Sequence, residues 1–309
     1  MAPESGPLRW ASDGTPVEQE PSRVFGGPFG QSVTSADGRY RVLYVERGTK
    51  ALLLDGPELV RELDRSYYHA ADYDYPVAVG RMADGREVVV HCPTRYDTLH
   101  VDDLWSGERL TGGEREPIDV FHSRLSVSPD GNHLLAVGWV WQPYGVALAF
   151  SLPRAVADPG TLDGFGVVPF HRAVGAEGAN ACWLDADRIV VTTSADDEDD
   201  ADDDQLGRAQ VGVWSIGAGA WLHRSALGFE AGVIVPRGEQ VVALHGHPRL
   251  VDVVSGRVVA EWPEVGTGRW TGCYGVSHLP SPVVALRPDG TRLAVAGADT
   301  ITVIDLPER

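Results

Sequence analysis

"SVSPDGNHLLAVGW", residues 126 to 139, sets a short polar turn, Ser-Pro-Asp-Gly, ahead of an apolar run with no helical period. Asp-Gly between two apolar segments is a hairpin signal, because Gly accepts positive φ and Asp bonds the backbone just beyond it. Related turns recur as "SADG" at 35 to 38, "MADG" at 82 to 85, "LDAD" at 184 to 187, "PRGE" at 236 to 239 and "RPDG" at 287 to 290. With Asp37, Asp84, Asp130, Asp185, Arg237 and Asp289 taken as equivalent, the steps are 47, 46, 55, 52 and 52 residues. A period near 50 marks an array of similar units.

Each turn is followed by an apolar run: "YRVLYV", "EVVVHC", "HLLAVGW", "RIVVTT", "QVVALH" and "RLAVAG". A second run comes later in each unit, as in "ALLLDG", "LHVDDLWSG", "VALAFSL", "VGVWSIG", "RLVDVVSG" and "ITVIDLP". The unit therefore reads as strand A, Asp-Gly turn, strand B, loop, strand C, turn and a weaker strand D. Four antiparallel strands repeated around an axis make a β-propeller blade, and six such units predict an all-β, six-bladed propeller forming a single domain over residues 1–309. Seven blades are the alternative. The last unit stops after strand C, so "PLRWASDGTPVEQE" at 7 to 20 is expected to supply its outer strand and close the ring.

The S-P-D-G turns, with "VDVVSG" and "VDDLWSG" downstream, resemble the blades of TolB-like and WD-repeat-like bacterial propellers. The resemblance covers most of the chain and implies a fold used chiefly for binding partners. It carries over no catalytic residue.

Composition narrows the partners. The 309 residues carry a net charge of −18, and eight acids lie within Asp196 to Asp204. An acidic surface is unsuited to phosphate backbones, so nucleic acid is not an expected partner. No apolar run is long enough to span a bilayer and no leader is evident, so neither a membrane nor export is expected. Cys92, Cys182 and Cys273 form no C-x-x-C pair, which suits reduced thiols in the cytoplasm.

Hairpins reverse direction, so the A–B and C–D turns share one face of the ring and the B–C and D–A connections share the other. The irregular second face is predicted to carry Tyr67, Tyr73, Tyr75, His91, Arg95, Tyr96, Trp141, Tyr144, His171, His245, His247, Arg269, Trp270 and Tyr274 as a binding surface, with Tyr68 and His69 beside them. Polar-tipped aromatics on loops held by a rigid scaffold are what interfaces use. Strand A is innermost, which predicts Gln31, His122, Arg124 and Asn180, with Ser281, at the central channel.

Catalytic and metal motifs do not assemble. An EF-hand register from Asp196 would put Ala201 where Gly is needed and Gly207 where a bidentate Glu is needed. His245 and His247 have no evident third ligand. "GVSHLPS" is not G-x-S-x-G. No cofactor and no metal are expected. The acidic run falls in the B–C loop of the fourth unit, where an insertion costs little, so its deletion is expected to leave melting nearly unchanged. The leading expectation is a noncatalytic protein- or peptide-binding scaffold; the alternative is a hydrolase or lyase taking a small molecule at the channel mouth.

Overall fold

Every predicted turn closes a hairpin in the computed structural model, which describes residues 29–35, 37–140, 144–176, 178–195, 201–268, 281–297 and 299–308, together with four short strands, Arg9–Trp10, Pro16–Val17, Thr271–Cys273 and Val276–His278. Blade 1 has strands A (Gln31–Thr34), B (Tyr40–Tyr44), C (Lys50–Asp55) and D (Glu58–Asp64). Blade 2 has A (Val77–Arg81), B (Glu87–His91) and C (His100–Asp103). Blade 3 splits its innermost strand into Val120–Phe121 and Ser126–Val127, both paired to B (His133–Val140), which pairs to C (Tyr144–Ser151). Blade 4 runs A (Gly178–Trp183), B (Arg188–Thr193), C (Gln210–Ser215) and D (Ala220–Ala226). Blade 5 runs A (Ile234–Arg237), B (Gln240–Ala243), C (Arg249–Asp252) and D (Val258–Glu261). Blade 6 has A (Val284–Leu286), B (Arg292–Ala296) and C (Ile301–Asp305). These six antiparallel sheets form the propeller.

The turns repeat one chemistry. Asp37, Asp84, Asp130 and Asp289 each accept the backbone N–H two residues on, at 2.9–3.2 Å. Asp185 does the same for Asp187, so the degenerate "LDAD" still turns the chain. At the fifth turn Arg237 replaces Asp and points inward instead. It is buried, donates to the Gly290 carbonyl at 2.6 Å and reaches the Pro307 carbonyl, pinning blade 5 to blade 6.

Blades pack through apolar clusters drawn from neighbouring sheets. Val42, Leu53, Val77 and Val89 join blades 1 and 2. Val90, Val101, Leu134 and Phe150 join blades 2 and 3. Leu135, Ala149, Trp183 and Ile189 join blades 3 and 4. Val190, Val213, Ile234 and Val241 continue to blade 5, and Val242, Leu250, Leu293 and Ile304 to blade 6. Strand alternation aims i and i+2 at one neighbour, and burying each such side chain contributes about 1.5–3 kcal/mol.

Three details differ from expectation. Strand D is present in blades 1, 4 and 5, whereas among the described residues it is lacking in blades 2, 3 and 6. After blade 3, Pro153 sits near the start of a short helix, α1 (Leu152–Ala157), which takes the chain off the sheet, and a second, α2 (Phe170–Ala173), follows before blade 4. The N-terminal strands Arg9–Trp10 and Pro16–Val17 pair with each other, not with blade 6. The expected closure by an N-terminal outer strand is thus not what the described residues form, and Ile301 and Val303 on the last strand remain 53% and 55% exposed.

Candidate functional site

The connection from blade 1 to blade 2 decides where the tyrosines go. Arg65 is buried beneath it and donates to the Ala70 and Tyr73 carbonyls at 2.5 and 3.1 Å. Its guanidinium lies 4.1 Å from the Tyr73 ring centroid, and Tyr75 is also in reach at 5.4 Å. Tyr73 and Tyr75 are therefore 2% exposed, and the Tyr75 hydroxyl donates to the Leu63 carbonyl at 3.1 Å. These two rings hold the loop from below and do not present a surface, contrary to the expectation from sequence. With the base fixed, the turn above projects Tyr67 and Tyr68 outward, 77% and 53% exposed. Within that turn the Ser66 hydroxyl accepts the Tyr68 N–H, and His69 adopts φ 50° and bonds Asp72 at 2.7 Å.

Tyr68 belongs to a tile of near-parallel rings. Its centroid is 5.0 Å from Tyr96 and 6.1 Å from Phe121; Tyr96 lies 4.2 Å from Phe121, and Phe121 3.9 Å from Trp139. Phe121 comes from the split inner strand of blade 3, which bulges at Arg124 (φ 41°) so that Phe121 meets the end of strand B. Gly138 is required there: a Cβ would stand 2.1 Å from the Phe121 carbonyl oxygen. The Tyr96 hydroxyl donates to Asp119 at 2.9 Å, and burial together with that carboxylate pushes the phenol up to about 12. Tyr96 is thus a fixed, neutral donor. Tyr144, 40% exposed, begins strand C opposite Val140.

The other predicted contact residues disperse. Arg95 is exposed and bonds Asp97 at 2.6 Å. His91 is buried against Asp102 at 2.9 Å, so it is not a surface group. Burial opposes ionisation of Asp102, but hydrogen bonds from His91 and Arg109 hold its carboxyl below the usual range. His171 is exposed and stacks on Phe165 at 4.3 Å, beyond blade 3. His247 bonds Glu261 at 3.1 Å, and the His245 carbonyl accepts Arg249, both on blade 5. Among the described residues no three His, Cys, Asp or Glu side chains are grouped to hold a metal. Trp141, Arg269, Trp270 and Tyr274 lie outside the described residues, as does the acidic run from Asp196 to Asp200. Its remainder is anchored: Arg224 donates to the Asp203 carbonyl at 2.7 Å, and Gln205 to the Arg172 carbonyl at 3.0 Å.

Three of the predicted channel residues converge at the seam between blades 6 and 1. Gln31 donates to the Ser281 carbonyl at 2.8 Å; the Ser281 N–H reaches Glu46 at 2.5 Å and its hydroxyl Asp74 at 3.3 Å; Arg124 bonds Asp74 at 2.8 Å. Residues up to 250 positions apart are thus tied together, and the described residues show no apolar cluster joining blades 6 and 1 of the kind that joins the other blades. Glu46, Asp74 and the tile residues Phe121 and Trp139 were not foreseen, since their roles depend on contacts between segments far apart in the chain. His122 and Asn180 sit deeper and are buried. Burial holds the His122 imidazole down at about 4, and does the same to His100 in blade 2.

No protein-family model matches the chain, and no curated protein does. Among solved structures, a chain of the Mitotic Checkpoint Complex superposes with a TM-score of 0.62 at 14% identity, over 97% of this chain and 84% of that one. A chain of Kuenenia stuttgartiensis Hydrazine Synthase superposes at 0.56 and 14% identity, over 89% of this chain and 82% of that one. These likenesses show the propeller fold. One comes from a multiprotein assembly and the other from an enzyme, so the fold alone does not choose between binding and catalysis.

Proposed function

We propose that the chain is a noncatalytic scaffold that binds a protein or peptide on its B–C/D–A loop face, centred on blades 2 and 3. The observation that carries this reading is the exposed edge of the aromatic tile: Tyr68 stands out from a backing of stacked rings, with Tyr67 exposed next to it in the chain and Tyr144 exposed at the start of strand C of blade 3. Pre-ordered aromatics lose little conformational entropy on contact, which is why they serve as interface anchors. The alternative, a small-molecule enzyme at the channel mouth, draws on the convergence of Glu46, Asp74 and Arg124. Those groups bond one another and Ser281, an arrangement better suited to holding the ring than to receiving a substrate. A cytoplasmic setting and a TolB-like ancestry belong to the same proposal; the buried free thiols Cys92 and Cys182 suit the first.

The test is comparative capture from the source-cell extract with three baits: wild type, a Tyr67→Ser/Tyr68→Ser/Tyr144→Ser variant, and Trp105→Ser. Trp105 is 64% exposed on the opposite face, in the turn that follows strand C of blade 2. A partner kept by wild type and Trp105→Ser and lost from the triple variant supports the proposal. Loss from Trp105→Ser alone refutes it.

A further inference from the structure

The chemistry around the tile specifies what kind of partner segment it takes. Tyr67 and Tyr68 are exposed aromatic rings, and an accessible π-face attracts cations. The surrounding charges have the matching sign. Asp119 is exposed, accepts the Tyr96 hydroxyl and joins no ion pair among the described residues. Arg95, the nearest exposed cation in sequence to Tyr96, is closed by Asp97 at 2.6 Å. The chain's net charge of −18 adds a negative background to the Asp119 carboxylate.

We infer that the tile receives arginine or lysine side chains from an extended basic segment of the partner protein, each cationic head lying over Tyr67 or Tyr68 and pairing with Asp119. This inference rests on the scaffold reading and names its partner class. The rings supply the selectivity that acidity alone lacks, since diffuse negative charge attracts any cation whereas a desolvated ring face rewards a head seated on it.

The experiment measures fluorescence anisotropy of short Gly-Ser peptides bearing spaced arginines, or glutamine or glutamate in their place, against the full chain at about 0.05 and about 0.5 M salt. The arginine peptide is expected to bind and the other two are not. Tyr67→Ser/Tyr68→Ser and, separately, Asp119→Asn should each weaken binding about 3- to 30-fold, with melting temperature unchanged. Asp202→Asn/Asp203→Asn/Asp204→Asn should weaken it less, and that effect should vanish at the higher salt. Binding that survives the tile variants but is abolished by neutralising the acidic loop overturns the inference. If the captured partner depends on the tile while the arginine peptide neither binds nor displaces it, the basic class is overturned and the scaffold reading stands.

Discussion

Acid is expected to destabilise this protein before its carboxylates titrate, because two histidines are buried where they resist protonation. His100 opens strand C of blade 2 and His122 lies in the split inner strand of blade 3; both are at most 6% exposed. Burial is the main cause, with Arg109 and Arg115 adding repulsion at His100 against the weaker attraction of Asp102. At His122 burial again dominates, with Arg115 adding repulsion against the opposing backbone bond to Asp97. Each imidazole falls from 6.5 to about 4 in the folded state. A histidine held down in this way favours folding above its unfolded value and loses that advantage as pH falls toward the folded one. At about pH 5 the unfolded chain protonates both rings and the folded chain neither, so each contributes about 2 kcal/mol of destabilisation, about 4 kcal/mol together. That is a large share of the roughly 5–15 kcal/mol typical of a folded domain. Urea unfolding at about pH 7 and about pH 5 measures it, with His100→Gln and His122→Gln each removing about 2 kcal/mol of the difference. A double variant with the wild-type pH dependence would refute the assignment. His122 adjoins Phe121, so the aromatic tile should lose its order over the same pH range.

Further perturbations probe the seam and the tile. Asp74→Asn should cost about 1–4 kcal/mol by removing the carboxylate that faces Arg124 and Ser281, and limited proteolysis should then cut faster near residues 281–283. Gly138→Ala forces Phe121 away from Trp139 and should destabilise by about 1–3 kcal/mol while abolishing partner binding, read by thermal melting and capture together. Asp202→Asn/Asp203→Asn/Asp204→Asn should shift stability by no more than about 0.5 kcal/mol in denaturant melts, since these side chains make no ion pair among the described residues. Deleting the whole run is a harsher change than sequence suggested, because the Asp203 carbonyl anchors Arg224.

The blade framework was legible because its determinants are local. An Asp that caps the N–H two residues on, followed by Gly at positive φ as in Gly38, Gly85, Gly131 and Gly290, writes the same hairpin wherever it occurs. Strand periodicity then assigns the core. The candidate site was legible only as a face. Sequence placed all the loop tyrosines together, yet whether each points in or out depends on Arg65, whose buried guanidinium draws Tyr73 and Tyr75 downward and leaves Tyr67 and Tyr68 above. His91 was misjudged for a similar reason: the end of strand B is buried, and Asp102 of the adjacent strand compensates the ring. The Asp74–Arg124 and Gln31–Ser281 contacts join positions far apart in the chain, and no local pattern encodes them.

The most direct test of the binding face is site-specific photocrosslinking in cells, with benzoylphenylalanine placed at 68, at 144 and at 105 in turn. The account predicts one protein adduct shared by positions 68 and 144, with none from 105. An adduct from 105 alone, or the same adduct from all three positions, would contradict it.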